Sequence, residues 1–118
     1  MKNQEKLFIY TRPIGLQYES YQLIVGRSIA TYLNLDPLFY SEHPTVDQYM
    51  LAKLIGLAGE GRVKHLFIIS AEVLSNDPMM YNQYIKHFRD YQVELYFGVD
   101  ILPRNDKRFQ HILYPKFY

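Results

Sequence analysis

Four short apolar runs, at residues 7–10, 38–40, 66–69 and 93–97, alternate in this sequence with three stretches of helical spacing. No other feature restricts the fold as much. Apolar runs of strand length, separated by helix-length segments, form βαβ units with parallel strands and right-handed crossovers. The run Leu66-Phe67-Ile68-Ile69 is apolar without interruption, as in a strand covered on both faces. The expectation is an α/β fold of three layers: a mainly parallel four-stranded sheet, flavodoxin-like in topology, with helices on both faces.

The helical stretches carry their own boundary signals. Residues 18–33 put Tyr21, Val25, Ile29, Tyr32 and Leu33 on one face. Thr45 and Gln48 have capping-box spacing, opening a second helix expected to bury Met50, Leu54, Leu57 and Ala58 and to end at Gly59 and Gly61. Asp77 and Pro78 suit a cap and a first helical position. The third helix they begin places Met80, Tyr84, Ile85 and Phe88 on one side. It ends near Lys86, His87 and Arg89, cations favoured at a helix C-terminus. Past Val99 the pattern fades, so residues 1–118 read as one domain with a core over 6–99. The tail, 100–118, is expected to be extended, with one helical turn at most.

Composition then removes several function classes. A chain of 118 residues can bury a single core. It has no cysteine, which excludes disulfides, thiolate metal sites and thiol catalysis. No apolar stretch approaches the roughly 20 residues that cross a bilayer. The first six residues lead into a strand without a signal-peptide core, so a cytoplasmic location is the default expectation. A net charge of +1 gives no global pull toward nucleic acid. Thr11-Arg12-Pro13-Ile14-Gly15 offers one threonine and one glycine where a phosphate-cradling loop needs several, and Ser70-Ala71 stands where a receiver domain needs aspartate. No cofactor and no metal are expected.

Two segments carry a family resemblance. The first is Tyr10-Thr11-Arg12-Pro13-Ile14, and the second is Ala71-Glu72-Val73-Leu74-Ser75-Asn76-Asp77. Through Tyr10, Arg12, Leu74 and Ser75 the chain resembles the N-terminal catalytic domain of the serine recombinases (resolvases and invertases) over residues 6–99. In that family a Tyr-x-Arg-Val-Ser pattern carries the nucleophilic serine. A Leu-Asp-Arg-Leu-Ser-Arg segment carries arginines that hold the scissile phosphate. The resemblance implies a resolvase-like fold and puts Ile14 at the nucleophile, Glu72 at the aspartate, and Val73 and Asn76 at the two arginines. An aliphatic side chain cannot attack a phosphodiester. Valine has neither charge nor donors and asparagine has no charge, so the forked cations of the family are missing too. The implied protein is a degenerate recombinase-like domain, not an enzyme. It would act through contact with a protein partner or a second copy, within a phage or mobile-element system. Active members continue into a long dimerisation helix and a helix-turn-helix domain. This sequence runs about twenty residues past Phe97 and is expected to lack both.

The residues leave two other uses open. Ligands of an open parallel sheet bind at the carboxyl ends of the strands, where Tyr10, Arg12, Glu42, His43 and Glu72 would gather. That group reads either as a rebuilt acid/base or metal site, with His43 carrying the proton, or as solvated loop ends, caps and an Arg–Glu ion pair. Ser20, at the start of the first helix, reads as a cap, and Ser75 as a turn residue. In the tail, Arg104, Lys107, Arg108 and Lys116 lie among Phe109, Tyr114, Phe117 and Tyr118. Cations beside aromatics suit single-stranded nucleic acid. The accompanying Ile101, Leu102, Ile112 and Leu113 suit packing against a surface of the protein or of a partner.

Overall fold

The computed structural model describes residues 5–13, 19–42 and 48–98. Its strands grow from the four apolar runs: β1 (Lys6–Thr11), β2 (Asp36–Ser41), β3 (His65–Ile68) and β4 (Glu94–Phe97). They form one sheet in the order β2-β1-β3-β4, with every neighbouring pair parallel. β1 is buried from Leu7 to Thr11 and β3 from Leu66 to Ile68, as central strands covered on both sides must be.

β2 is longer than the run at 38–40 and takes in Pro37. The edge position allows it. Asp36 donates to Glu5 O and Glu42 to Thr11 O, so alternation turns the Pro37 nitrogen away from β1, where no ladder bond is lost.

Three α-helices occur among the described residues: α1 (Glu19–Leu33), α2 (Tyr49–Gly59) and α3 (Pro78–Asp90). A single 3₁₀ turn (Ala71–Val73) follows β3. α1 lies close on the sheet face that carries Ile9 and Phe67. A Cβ at Gly26 would stand 2.7 Å from Ile9 Cγ2, so no larger residue fits there without movement. Tyr10, which alternates with Ile9, points to the opposite face and meets Gln48 at the start of α2. α2 and α3 pack against each other, which agrees with right-handed crossovers placing α1 on one side and α2 with α3 on the other.

All three helices end alike. Asn34, Gly61 and Gln92 take positive φ values of 58°, 75° and 63°. At each end one amide reaches back five residues: Leu35 to Ala30 O, Arg62 to Leu57 O and Val93 to Phe88 O. These are Schellman closures, and each leads into the next strand within a few residues.

Packing corrects parts of the expected faces. α1 buries Gln22, Val25, Gly26, Ile29 and Ala30, while Tyr32 is exposed. Its stripe is centred on the small residues that let the helix approach the sheet. α2 buries Leu51 with Leu54 and Ala58, and Met50 and Leu57 are only half-buried. In α3, Phe88 is buried, Tyr84 and Ile85 pack against the core, and Met80 in the first turn is exposed. No helix among the described residues is long and apolar enough to cross a membrane.

Candidate functional site

The carboxyl ends of the strands bring polar residues together in two networks. The first centres on Glu42, which follows β2 and is only 2% exposed. Its Oε2 accepts from the Tyr10 hydroxyl at 2.9 Å and from the Leu51 amide at 2.9 Å, and its Oε1 accepts from the Met50 amide at 3.0 Å. A buried carboxylate is tolerated only with such partners. Here it also lies against the positive end of α2. Burial, reinforced by the Glu42 carboxylate, pushes the Tyr10 phenol well above its ordinary range, partly opposed by a hydrogen bond from Gln48. Tyr10 therefore remains a proton donor to Glu42.

Gln48 ties this network to the turn after β3. Its Nε2 lies 3.1 Å from the Tyr10 hydroxyl and 2.7 Å from the Leu74 carbonyl. α2 begins at Tyr49 with Gln48 as its N-cap, and the Gln48 side chain does not cap the helix. The Met50 and Leu51 amides in the first turn of α2 are capped from outside the helix, by Glu42. Thr45, expected to open a capping box, lies outside the described residues. A carboxylate on the neighbouring strand end thus meets free N–H groups of the helix start from a buried position.

The second network centres on Arg12. Its Nε donates to Val73 O at 2.8 Å, and one terminal nitrogen donates to Glu72 O at 2.7 Å and Asn76 Oδ1 at 3.2 Å. Gln22 holds the Arg12 backbone from α1, accepting from its amide at 3.1 Å and donating to its carbonyl at 2.6 Å. In this topology the order of connections reverses between β1 and β3, which is where an open α/β sheet forms its ligand crevice. Arg12 bridges that crevice and joins the end of β1 to the turn after β3.

Four of the five residues expected to gather here lie among the described residues, and the two networks meet at the Val73 carbonyl, which accepts from Arg12 Nε and lies 3.4 Å from Gln48 Nε2. Tyr10 and Glu42 share a network, and Arg12 belongs to the other. The anticipated Arg–Glu ion pair does not form: Arg12 meets the backbone carbonyl of Glu72, whose side chain is exposed, and Glu42 faces Tyr10 and α2. His43 and Ile14 lie outside the described residues, as do Arg104, Lys107, Arg108, Phe109 and Lys116. Ser20 stands inside the first turn of α1 rather than capping it. Ser75 acts as a turn residue, its Oγ accepting from the Asp77 amide at 3.1 Å, and the Asp77 side chain caps α3 through Met79 N. Val73, at a position the resemblance gives to a phosphate-binding arginine, is fully buried in the core.

Sequence reading missed Gln22 and gave Gln48 a capping role in place of its bridge from Tyr10 to Leu74. Gln22 had a signal, since a polar residue on an apolar helical stripe needs a buried partner. It also missed a chain at the amino ends of the strands. There His65 Nε2 lies 2.7 Å from Glu5 Oε2, and His65 Nδ1 lies 3.0 Å from the Tyr96 hydroxyl. The contact with His65 holds the Glu5 carboxyl below its ordinary range. Burial, with Glu94 and Glu5 nearby, pushes the Tyr96 phenol up. No group of three or more His, Asp or Glu side chains among the described residues is placed to hold a metal ion.

Among solved structures, a resolvase family site-specific recombinase from Streptococcus pneumoniae matches with a TM-score of 0.67 and 17% identity, over 93% of this chain and 83% of that one. The fold is resolvase-like. The C-terminal catalytic domain of ISC1926 TnpA, an IS607-like serine recombinase, matches with a TM-score of 0.64 and 14% identity, over 92% of this chain and 75% of that one. No family model and no curated protein matches the chain.

Proposed function

We propose that this resolvase-like domain is catalytically inactive and works through protein–protein contacts, as a regulator or assembly component of a phage or mobile-element system. One observation supports this most: the retained cation of the resemblance, Arg12, is bonded to the protein's own turn. Three hydrogen bonds attach it to the turn at 72–76, at the crevice where an open sheet would otherwise admit a ligand. Two further features point the same way. The resemblance puts Ile14 at the nucleophile position. Val73, buried among core residues, offers no donor to a phosphate.

The test has two arms. Purified protein incubated with supercoiled plasmid, with and without Mg²⁺, should yield no nicked or linear product and no covalent protein–DNA adduct. The Ile14→Ser variant should be equally inert, because the arginines would still be missing. Reproducible nicking by the unmodified chain overturns the proposal. In the second arm, sedimentation equilibrium should show self-association, or a heteromer when a candidate partner is added. A strictly monomeric protein that binds none of the proteins encoded beside it overturns the role in protein contacts.

A further inference from the structure

A cleft of about 530 Å³ opens at the amino ends of β1 and β2, beside the last turn of α2 and at the opposite end of the sheet from Arg12. Small-molecule sites commonly measure about 300–1,000 Å³ and combine an apolar floor with a few charged groups. This cleft has that composition. Phe8, Leu38, Tyr40 and Leu57 supply the apolar surface, and Lys6, Arg62 and Lys64 stand at the rim with one acid, Glu5.

The aromatic surface is held in place. Phe8 and Tyr40 pack with ring centroids 5.6 Å apart, tilted by 53°. The Lys53 ammonium, from α2, lies 5.8 Å from the centre of the Tyr40 ring. That contact brings another cation near the cleft.

The charges favour an anion. The one acid lining the cleft has its carboxylate within 2.7 Å of His65 on β3, so it is already engaged. Lys6 is paired to Asp36 at 3.0 Å, but Arg62 lies 3.6 Å from Glu60 and Lys64 lies 3.7 Å from Glu5, both too far for good hydrogen bonds. Pairs so exposed contribute little and rearrange readily. A phosphate or carboxylate reaching the rim can therefore draw Arg62 and Lys64 to itself.

We infer that this cleft binds a small aromatic anion of the nucleoside monophosphate class. The ring lies against Phe8, Tyr40 and Leu57, and the anionic group meets Arg62 and Lys64. A neutral aromatic leaves the cations unused, and a bare anion leaves the apolar floor wet. The inference stands apart from the protein-contact role proposed above, and each can fail without the other.

AMP is the probe, titrated into ¹⁵N-labelled full-length protein. Saturable amide shifts are expected at Leu38, Tyr40, Leu57 and Lys64, with the amides of Arg12 and Val73 unmoved. Adenosine and ribose 5-phosphate, each lacking one half of the chemistry, should bind at least about tenfold more weakly than AMP. Arg62→Glu and Lys64→Glu alter side chains that are 68% and 70% exposed, so the fold should hold, as the melting temperature would verify. Each should weaken AMP about tenfold or more. The proposal is overturned if AMP gives no saturable shifts, if the shifts fall at the carboxyl ends of the strands, or if ribose 5-phosphate binds as tightly as AMP. It is also overturned if these amides are covered in a dimer, which would give the cleft to a second copy of the chain.

Discussion

The two ends of the sheet handle polar side chains in opposite ways. At the carboxyl ends, Glu42, Tyr10, Gln48 and Arg12 interlock, and two of them are almost or wholly buried. At the amino ends, Lys6, Glu5, Lys64 and Arg62 form exposed ion pairs at the surface beside an open cleft, those of Arg62 and Lys64 long. A parallel sheet conventionally works at its carboxyl end, yet here that end is fastened by its own side chains. The difference teaches that polar residues gathered at a strand end can be held in different ways. What matters is whether their hydrogen-bonding capacity is directed outward or consumed internally.

Mutations can break or sharpen that contrast. The largest effect is expected at Glu42. Glu42→Ala leaves the Tyr10 hydroxyl and two N–H groups of α2 without their acceptor in a buried setting, a loss of about 3 kcal/mol. Urea unfolding should show the unfolding free energy fall by that amount, with the midpoint moving down accordingly. A change of less than about 1 kcal/mol would mean that water or another group replaces the carboxylate. Arg12→Ala removes three hydrogen bonds at a partly exposed position, where water can satisfy some of the freed acceptors, so about 1–2 kcal/mol is expected. If the variant instead gained affinity for a phosphorylated ligand, Arg12 would be a gate rather than a tie.

At the amino end the effects are smaller. The His65 contact depresses the folded pKa of Glu5. Its contribution is therefore present above the ordinary carboxylate range and is lost as pH falls through that range and below it. Melting temperatures of the unmodified chain and Glu5→Gln should differ at neutral pH and converge in acid. A difference that persists unchanged in acid would show that something other than ionisation is responsible. The smallest effect is expected for Lys6→Ala, which removes a half-exposed pair with Asp36. It should change unfolding free energy by less than about 0.5 kcal/mol in urea titrations.

Sequence and structure agree best where the signal is periodic or adjacent. The apolar run at 66–69 marked the central strand β3, and Asp77-Pro78 marked the start of α3, because those signals depend on neighbours along the chain. The polar network was less legible. Glu42 was expected at a strand end, but its partners are amides eight and nine residues further on and a hydroxyl 32 residues earlier. Arg12 was expected to pair with a carboxylate and instead bonds to carbonyls about sixty residues away, which every residue carries and no sequence pattern advertises. The link from Glu5 through His65 to Tyr96 depends on three strands lying side by side, a register that only the assembled sheet defines.

The Schellman closures also bear on where the chain can tolerate a change of length. Each helix passes to its strand through one left-handed residue, so an added residue at Asn34, Gly61 or Gln92 has no slack to occupy. It would be transmitted into the strand and exchange the residues of its two faces, so that neither packs against its helix layer as before. Growth and shrinkage during divergence should therefore fall on the loops that leave the strands. The rim of the amino-end cleft is built from the inelastic joints and should keep its outline while those loops vary.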